Sequence, residues 1–326
     1  MPFPRVSVLM TVYNSEAYLA EAIESILNQS FTDFKFLIVD DASTDRSKEI
    51  IKSYDDPRII LVENTFNLGV PGSSNRGLSV AEGEYIVRMD ADDICHPERL
   101  KVQVDYMDKH TEIGLCGSFY ETFGSREGIT DNLAVNSDEL KCRLLFSACL
   151  MHPTIIIRHS MLRQHDIYYN PEYRYASDYE FCTMCSRHFH IANINHVLLR
   201  YRVHEKQIST AHITEQENFA KSIKRNQLEY LGLSPDEQEL EIHHILGNSS
   251  YHLVSSRGLY EAVQKWLLKL METNQQTLRF PSSVFNEILG AMFYAICKYS
   301  IRTSGPLTIR DFYKSPLSAA LINTGR

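Results

Sequence analysis

Tyr85-Ile-Val-Arg-Met-Asp-Ala-Asp-Asp93 runs an apolar strand into three carboxylates, Asp90, Asp92 and Asp93. A strand that ends in clustered acids is costly to fold, because like charges repel and each demands hydration. The pattern makes physical sense where a divalent cation neutralises the cluster. Hard ions such as Mn2+ or Mg2+ take carboxylate oxygens and commonly share their remaining positions with a substrate phosphate. The stretch therefore predicts a metal-assisted site for a phosphorylated donor. An isolated D-x-D is more often a solvated turn, and the buried strand before it is what sets this one apart.

Outward from that stretch, strand and helix alternate through the first hundred residues. Val6–Val12, Phe34–Val39, Ile59–Glu63 and Tyr85–Met89 read as strands, the last buried because its apolar run is continuous. Leu19, Ala22, Ile23, Ile26 and Leu27 carry the spacing of a helix packed on a sheet. Ser43 or Thr44 is placed to cap a second helix through Ile50 and Ile51. Such alternation implies parallel pairing, with ligands gathered at the carboxyl ends of the strands. Thr11 with Tyr13, Asp40 with Asp41, and Asp90 to Asp93 all fall at such ends. They are expected to converge on one crevice.

Beyond residue 96 the pattern predicts a helix over Pro97–His110, a strand over Ile113–Thr122 and a helix from Ser137 to about Phe146. His152–Arg158 and Val197–Val203 read as further strands. Ser177-Asp-Tyr-Glu180 has the form of a capping box opening a helix. From about Thr214 only helical spacing remains, which places a domain boundary near residues 210–225.

With 326 residues, 44% of them hydrophobic, the chain can bury one large core plus an appendage. A net charge of −8 and a pI near 5.9 argue against a nucleic-acid partner. No apolar run reaches the length of a membrane-spanning helix, and Met1-Pro-Phe-Pro-Arg5 leads straight into a strand without a signal-like segment. Seven irregularly spaced cysteines suit reduced thiols, so a cytoplasmic location is expected.

Several ordered motifs now stand together: Val6-Ser-Val-Leu-Met-Thr-Val-Tyr-Asn14, Gln29-Ser-Phe31, Val39-Asp-Asp-Ala-Ser-Thr-Asp45, Asn67-Leu-Gly69 with Asn75-Arg-Gly77, and Asp90-Ala-Asp-Asp93 with Pro97-Glu-Arg-Leu100. Over about residues 4–210 the chain resembles glycosyltransferase family 2, inverting enzymes of the GT-A fold. The resemblance implies an α/β, Rossmann-like, mostly parallel central sheet flanked by helices. It implies a glycosyltransferase domain over 1–220, its nucleotide-binding half about 1–110 and its acceptor half about 111–220, followed by a helical region over 221–326. The implied reaction moves a hexose from a nucleotide sugar to a hydroxyl of a glycan or lipid-linked acceptor in cell-surface polysaccharide synthesis. Neither a Q-x-x-R-W signature nor spanning helices are present, which favours addition of one sugar over polymerisation.

Residue by residue, Thr11 and Tyr13 match positions that bracket the nucleotide base and ribose. Asp41 matches the acid that accepts a hydrogen bond from the uracil ring N–H, which implies UDP or dTDP; an Asx-turn or helix cap is the lesser reading. Asn67, Gly69 and Asn75 match a loop beside the donor. Asp90 and Asp92 match the metal-binding acids, with Mn2+ or Mg2+ as cofactor, and Asp93 matches a position near the ribose. Ser74 stands where the family often carries a basic residue. Asp178 matches the catalytic base, with Ser177 in place of the usual preceding acid. A base at a helix start is kept ionised by the dipole, at some cost in basicity. His204 resembles a residue beside the diphosphate, a further metal ligand or phosphate donor, and reads equally as a loop histidine. His152 is expected on the acceptor side or in the core.

Cys182 and Cys185, with His188 and His190 nearby, invite a zinc reading, but cysteines three apart on an apolar helix face are more simply core. The tail carries Lys298, Arg302, Arg310, Lys314 and Arg326 against Asp311, with Phe312, Tyr313, Leu317 and Leu321 between them. This composition allows peripheral contact with an anionic membrane, although packed helices are the simpler reading. Two rivals remain: a nucleotidyltransferase, which would need a Gly-rich basic loop where Tyr13-Asn-Ser-Glu16 stands, and a non-catalytic sugar-nucleotide binder.

Overall fold

The computed structural model describes residues 3–130, 133–205, 207–303 and 305–322. The chain divides into two compact units, one of Met1–Ser137 with Ala148–Gln216 and one of Asp138–Ser147 with Glu217–Arg326. The two-block division read from sequence has no counterpart for Asp138–Ser147, which belongs with the helical unit. Its Cys142, Leu145 and Phe146 are buried there beside Leu246 and Trp266.

In the first unit the strands are β1 (Val6–Val12), β2 (Phe34–Asp40), β3 (Ile59–Glu63), β4 (Tyr85–Asp90), β5 (Ile94–Cys95), β6 (Ile113–Gly124), β7 (Gly128–Thr130), β8 (Ile156–Arg158) and β9 (His190–Val203). Among the described residues they form one sheet in the order β3-β2-β1-β4-β8-β6-β9-β5, with β7 on β6. Pairing is parallel from β3 to β4 and again between β6 and β9. It is antiparallel where β8 joins β4 to β6, and where β5 and β7 attach. The sheet is therefore mixed rather than mostly parallel. The parallel half places the ends of β1, β2 and β4 side by side, with Thr11 opposite both Val39 and Asp90.

Helices α1 (Leu19–Leu27), α2 (Ser47–Lys52), α3 (Gly69–Val80), α4 (Arg99–Lys109), α5 (Ser137–Arg143), α6 (His159–His165) and α7 (Ser177–His188) follow in chain order. α1 presents Leu19, Ala22, Ile23 and Ile26 to one sheet face, and α4 adds Leu100, Val104 and Met107 to the same core. Both faces of β1 are covered, which is why Val6, Val8, Leu9, Met10 and Val12 make it largely apolar rather than alternating.

Four local expectations give way. Residues 67–75, expected as a loop, open α3, a helix that contains Gly69, Pro71, Gly72 and Gly77. Such poor helix formers are outweighed by packing: a Cβ on Gly77 would sit 2.1 Å from Leu9 Cδ1, so only glycine allows this close approach to β1. Residues 152–158 begin as a 3-10 turn, His152–Thr154, because Pro153 cannot donate to a sheet ladder. α2 starts after Arg46, while Ser43 Oγ instead accepts the backbone N–H of Asn14. α7 starts after Ala176 without a side-chain cap, and Ser177 is a buried first residue.

The helical elements that follow are α8 (Ile208–Ala211), α9 (Ile213–Leu231), α10 (Glu237–Gly247), α11 (Arg257–Thr277), α12 (Ser282–Arg302), α13 (Ile309–Lys314) and α14 (Ser318–Ile322). Trp266, Leu267, Leu289 and Phe293 centre the core of the second unit. Phe312 and Leu317, candidates for membrane contact, are buried in that core, and Tyr313 is exposed. Arg326 lies outside the described residues. No helix among the described residues is long and apolar enough to cross a membrane.

Candidate active site

A cavity of about 1190 Å³ opens at the carboxyl ends of β1, β2 and β4, and Thr11, Tyr13, Asp41, Asn67, Gly69, Asp90, Asp92, His152, Asp178 and His204 line it. Two of the expected residues lie elsewhere. Asn75 points away on α3, where its amide donates to the Tyr169 carbonyl (2.7 Å) and accepts the Tyr169 N–H (2.9 Å). Asp93 is fully buried and accepts the backbone N–H of Arg202 at 2.9 Å. Both are structural in this geometry.

The nucleotide end is built from two interlaced loops. After β1, Asn14 adopts a left-handed conformation (φ 49°) and its side chain accepts the N–H of Thr44 at 2.8 Å. Ser15 N donates to Ser47 Oγ at 2.8 Å, and Glu16 N to Asp45 at 3.0 Å. The arrangement leaves Tyr13 about half exposed (51%) at the cavity wall, a free aromatic face. Asp41 is buried and accepts the N–H groups of Leu68 and Gly69, each at 2.8 Å, so it caps α3 and lines the cavity at once. Asn64 also donates to Asp41 Oδ1, leaving Oδ2 with the Gly69 N–H and a lone pair to spare.

The acid cluster is held differently from the expectation that only a dication makes it tolerable. Arg88, in mid-β4, is fully buried; it donates to the Leu9 carbonyl at 3.0 Å and reaches Asp90 Oδ1 at 3.5 Å. Arg99 is equally buried and donates to the Arg88 carbonyl at 2.8 Å. Arg202 donates from Nε to the Asp92 carbonyl at 2.8 Å and pairs with Glu21 at 2.7 Å. Its guanidinium lies between the rings of Tyr18 and Phe123, 4.3 Å and 4.4 Å from their centroids. The chain thus supplies cationic support from below. It is incomplete, since burial, with Asp92 and Asp178 adding repulsion, pushes Asp90 up to about 6. Asp93 is also raised, by burial first and then by Asp92 and Asp90.

Asp92 Oδ2 meets His204 Nε2 at 2.9 Å, and His204 packs beside Tyr18 with ring centroids 5.0 Å apart. Among the described residues no three His, Cys, Asp or Glu side chains gather closely enough to hold an ion unaided. Carboxylate and imidazole together still suit Mn2+ or Mg2+, ions that take the rest of their coordination from water and substrate phosphate. The donor set therefore fits a cation shared with a ligand. It does not fit a cage made only of protein. Cys182 and Cys185 are buried in α7 and their thiols are raised by burial, as core cysteines are.

Asp178 stands in the first turn of α7 and faces the cavity half-buried. Burial raises its pKa, and the N–H groups of Tyr179 and of Asp178 itself oppose this only in part. The helix dipole, expected to make it a weaker base, is outweighed by desolvation. Behind it, His152 Nε2 and Tyr169 Oη are 2.8 Å apart, and Tyr169 stacks on Phe181 at 4.0 Å. His152 lines the cavity, and burial keeps it neutral, its pKa well below the ordinary value. Sequence reasoning missed Arg88, Arg99, Arg202 and Arg174. An arginine inside an otherwise apolar strand was the available signal for the first.

Similarity to known proteins fits this geometry. The profile of glycosyl transferase family 2 matches residues 7–170. An uncharacterized glycosyltransferase of Haemophilus influenzae is 35% identical over 242 residues, 70% of this chain and 74% of that protein. The Escherichia coli UDP-Glc:alpha-D-GlcNAc-diphosphoundecaprenol beta-1,3-glucosyltransferase WfaP is 26% identical over 222 residues, 67% of this chain and 86% of its own length. The crystal structure of Staphylococcus aureus TarS 1-349 in complex with UDP-GlcNAc has the same fold, with a TM-score of 0.64, 21% identity and 92% of each chain covered. The chain belongs to glycosyl transferase family 2 and is a glycosyltransferase.

Proposed function

We propose that this chain is an inverting hexosyltransferase moving a sugar from a UDP-sugar to a hydroxyl of a glycan or lipid-linked acceptor in cell-surface polysaccharide synthesis. The observation that carries the reading is one cavity lined by Asp41, by the Asp92–His204 pair and by a carboxylate of raised pKa, Asp178. WfaP and TarS, whose names and ligands include UDP-sugars, support the choice of donor.

In the proposed mechanism Tyr13 offers its ring to the base, and Asp41 Oδ2 accepts the pyrimidine imide N–H. Asp92 and His204, with Asp90, would hold Mn2+ or Mg2+. When bound, the cation supplies Lewis-acid neutralisation of the diphosphate. Asp178 takes the proton of the acceptor hydroxyl as its oxygen bonds to the anomeric carbon. The bond from that carbon to the diphosphate breaks on the opposite face, releasing UDP and inverting the centre. His152 and Tyr169 back the acceptor side of Asp178 as a neutral, fixed wall.

The test uses the purified chain with Mn2+ and a panel of nucleotide sugars, read as thermal stabilisation and nucleoside diphosphate release. UDP-sugars are expected to stabilise it. Asp178→Asn is expected to keep UDP binding and to lose turnover by about a hundredfold or more. Retained turnover in that variant, or stabilisation only by non-uridine sugars, overturns the proposal.

A further inference from the structure

The donor in the proposed reaction is an anion, and the cavity meant to take it is acidic. Asp41, Asp90, Asp92 and Asp178 all line it, and its only lining Lys or Arg side chains among the described residues are Arg174 and Arg202. Arg202 is committed, paired with Glu21 and bonded to the Asp92 carbonyl. Position 74, where the family often carries a basic residue, holds a fully buried serine whose hydroxyl has no partner. Ser74 contributes nothing to the cavity.

Arg174 is placed to fill that role from elsewhere in the chain. It lies on the turn between the 3-10 segment Pro171–Tyr173 and α7, four residues before Asp178, and its side chain is exposed. One guanidinium nitrogen donates to Asn67 Oδ1. The group lies across Gly69, where an added Cβ would sit 3.2 Å from Arg174 Cζ and Nε, on a residue whose φ of +72° already favours glycine. Asn67 orients the fork without neutralising it, because a carboxamide oxygen carries no full charge. Among the described residues no carboxylate forms an ion pair with Arg174, and a guanidinium has five N–H donors, most of them unspent.

Building on the UDP-sugar reading, we infer that Arg174 is the guanidinium that binds the diphosphate of the donor, in place of a cation at position 74. Asn67 and Gly69 serve as its rest: one hydrogen-bond acceptor and one residue small enough to lie beneath it. The arrangement ties the donor's charge to the segment that also carries Asp178.

The experiment titrates wild type and Arg174→Ala with UDP, with uridine and with a UDP-sugar that wild type accepts. Binding of UDP and of the UDP-sugar is expected to weaken by about ten- to hundredfold, the range of a charge-assisted hydrogen bond to phosphate. Uridine binding is expected to stay at the wild-type value, which also reports an intact fold. Arg174→Lys, keeping charge without the fork, is expected to recover part of the loss. Equal UDP affinity in Arg174→Ala overturns the inference and leaves the UDP-sugar reading standing. So does a uridine loss that matches the UDP loss, or a loss confined to the UDP-sugar. Failure of wild type to bind UDP at all overturns both.

Discussion

Asp92 and His204 lie 112 residues apart in the chain, and their side chains meet at 2.9 Å. One follows β4, the other follows β9, and the sheet brings the two strand ends to the same cavity. On the proposed reading this contact stands where a cation would join carboxylate, imidazole and diphosphate. Removing an outer-shell partner of a metal commonly costs about 10–100-fold in affinity, and a ligand should cost at least as much. Asp92→Ala and His204→Gln should each weaken Mn2+-dependent UDP binding by about tenfold or more, measured by calorimetry. Wild type should lose the same increment in EDTA, and the variants should lose little further. UDP affinity insensitive to both mutation and chelation would refute the shared-cation reading.

Arg88 provides a second test, independent of any ligand. It is a fully buried cation whose nearest acid is Asp90, at 3.5 Å, and whose Nε has no partner. Breaking a fully buried pair costs about 3–5 kcal/mol; Asp90 is one third exposed at the cavity, so water offsets part of that and the cost should be about 1–3 kcal/mol. Arg88→Met should lower the unfolding free energy by up to that amount, read from the midpoint and slope of a urea titration. It should also push Asp90 above its present value of about 6, seen by carboxyl NMR titration. An Arg88→Met variant as stable as wild type would mean the acid cluster needs no internal cation.

These two residues mark what the sequence could and could not convey. The strands β1, β2 and β4 were readable because each is almost wholly buried and mostly apolar, broken before its polar end only by Ser7 in β1, Lys35 in β2 and Arg88 in β4. Asp41, Asp90 and Asp92 were readable as polar groups at strand ends, Asp178 and His204 through the family resemblance, and all five share one cavity. The counter-charges were not. Arg88 interrupts an apolar strand and Arg99 stands between Glu98 and Leu100 like a surface helix residue, and only the fold shows both buried near the acids. α3 was hidden by its own glycines and proline, since its start is secured from β2 by Asp41 and its close packing by Gly77 against Leu9. Long-range pairing of β6 with β9 left no local signal at all.

Asn75 turns one of the sequence expectations into a discriminating measurement. Its amide clamps the Tyr169 backbone with two hydrogen bonds and does not face the cavity. Each such bond is worth about 0.5–1.5 kcal/mol, more when its loss strands a buried backbone group. Asn75→Ala should therefore cost about 2 kcal/mol in chemical denaturation while UDP affinity stays unchanged. A nucleotide-binding defect without a stability defect would restore Asn75 to the donor site.

Glu180 gives the clearest pH dependence. It lies on α7, two residues after Asp178, and burial raises it from 4.5 to about 7, with Arg187 opposing in part. One of its carboxylate oxygens has no hydrogen-bond partner. Between pH 4.5 and 7 the folded chain holds a proton here that the unfolded chain has released. Stability must therefore fall as pH rises through that window, and level off above it. Glu180→Gln keeps the shape and removes the titration. It should match wild type near pH 4.5, become the more stable of the two above pH 7, and show a flatter melting-temperature profile between. Parallel profiles for the two proteins would mean that Glu180 ionises in the folded chain as it does in the unfolded one.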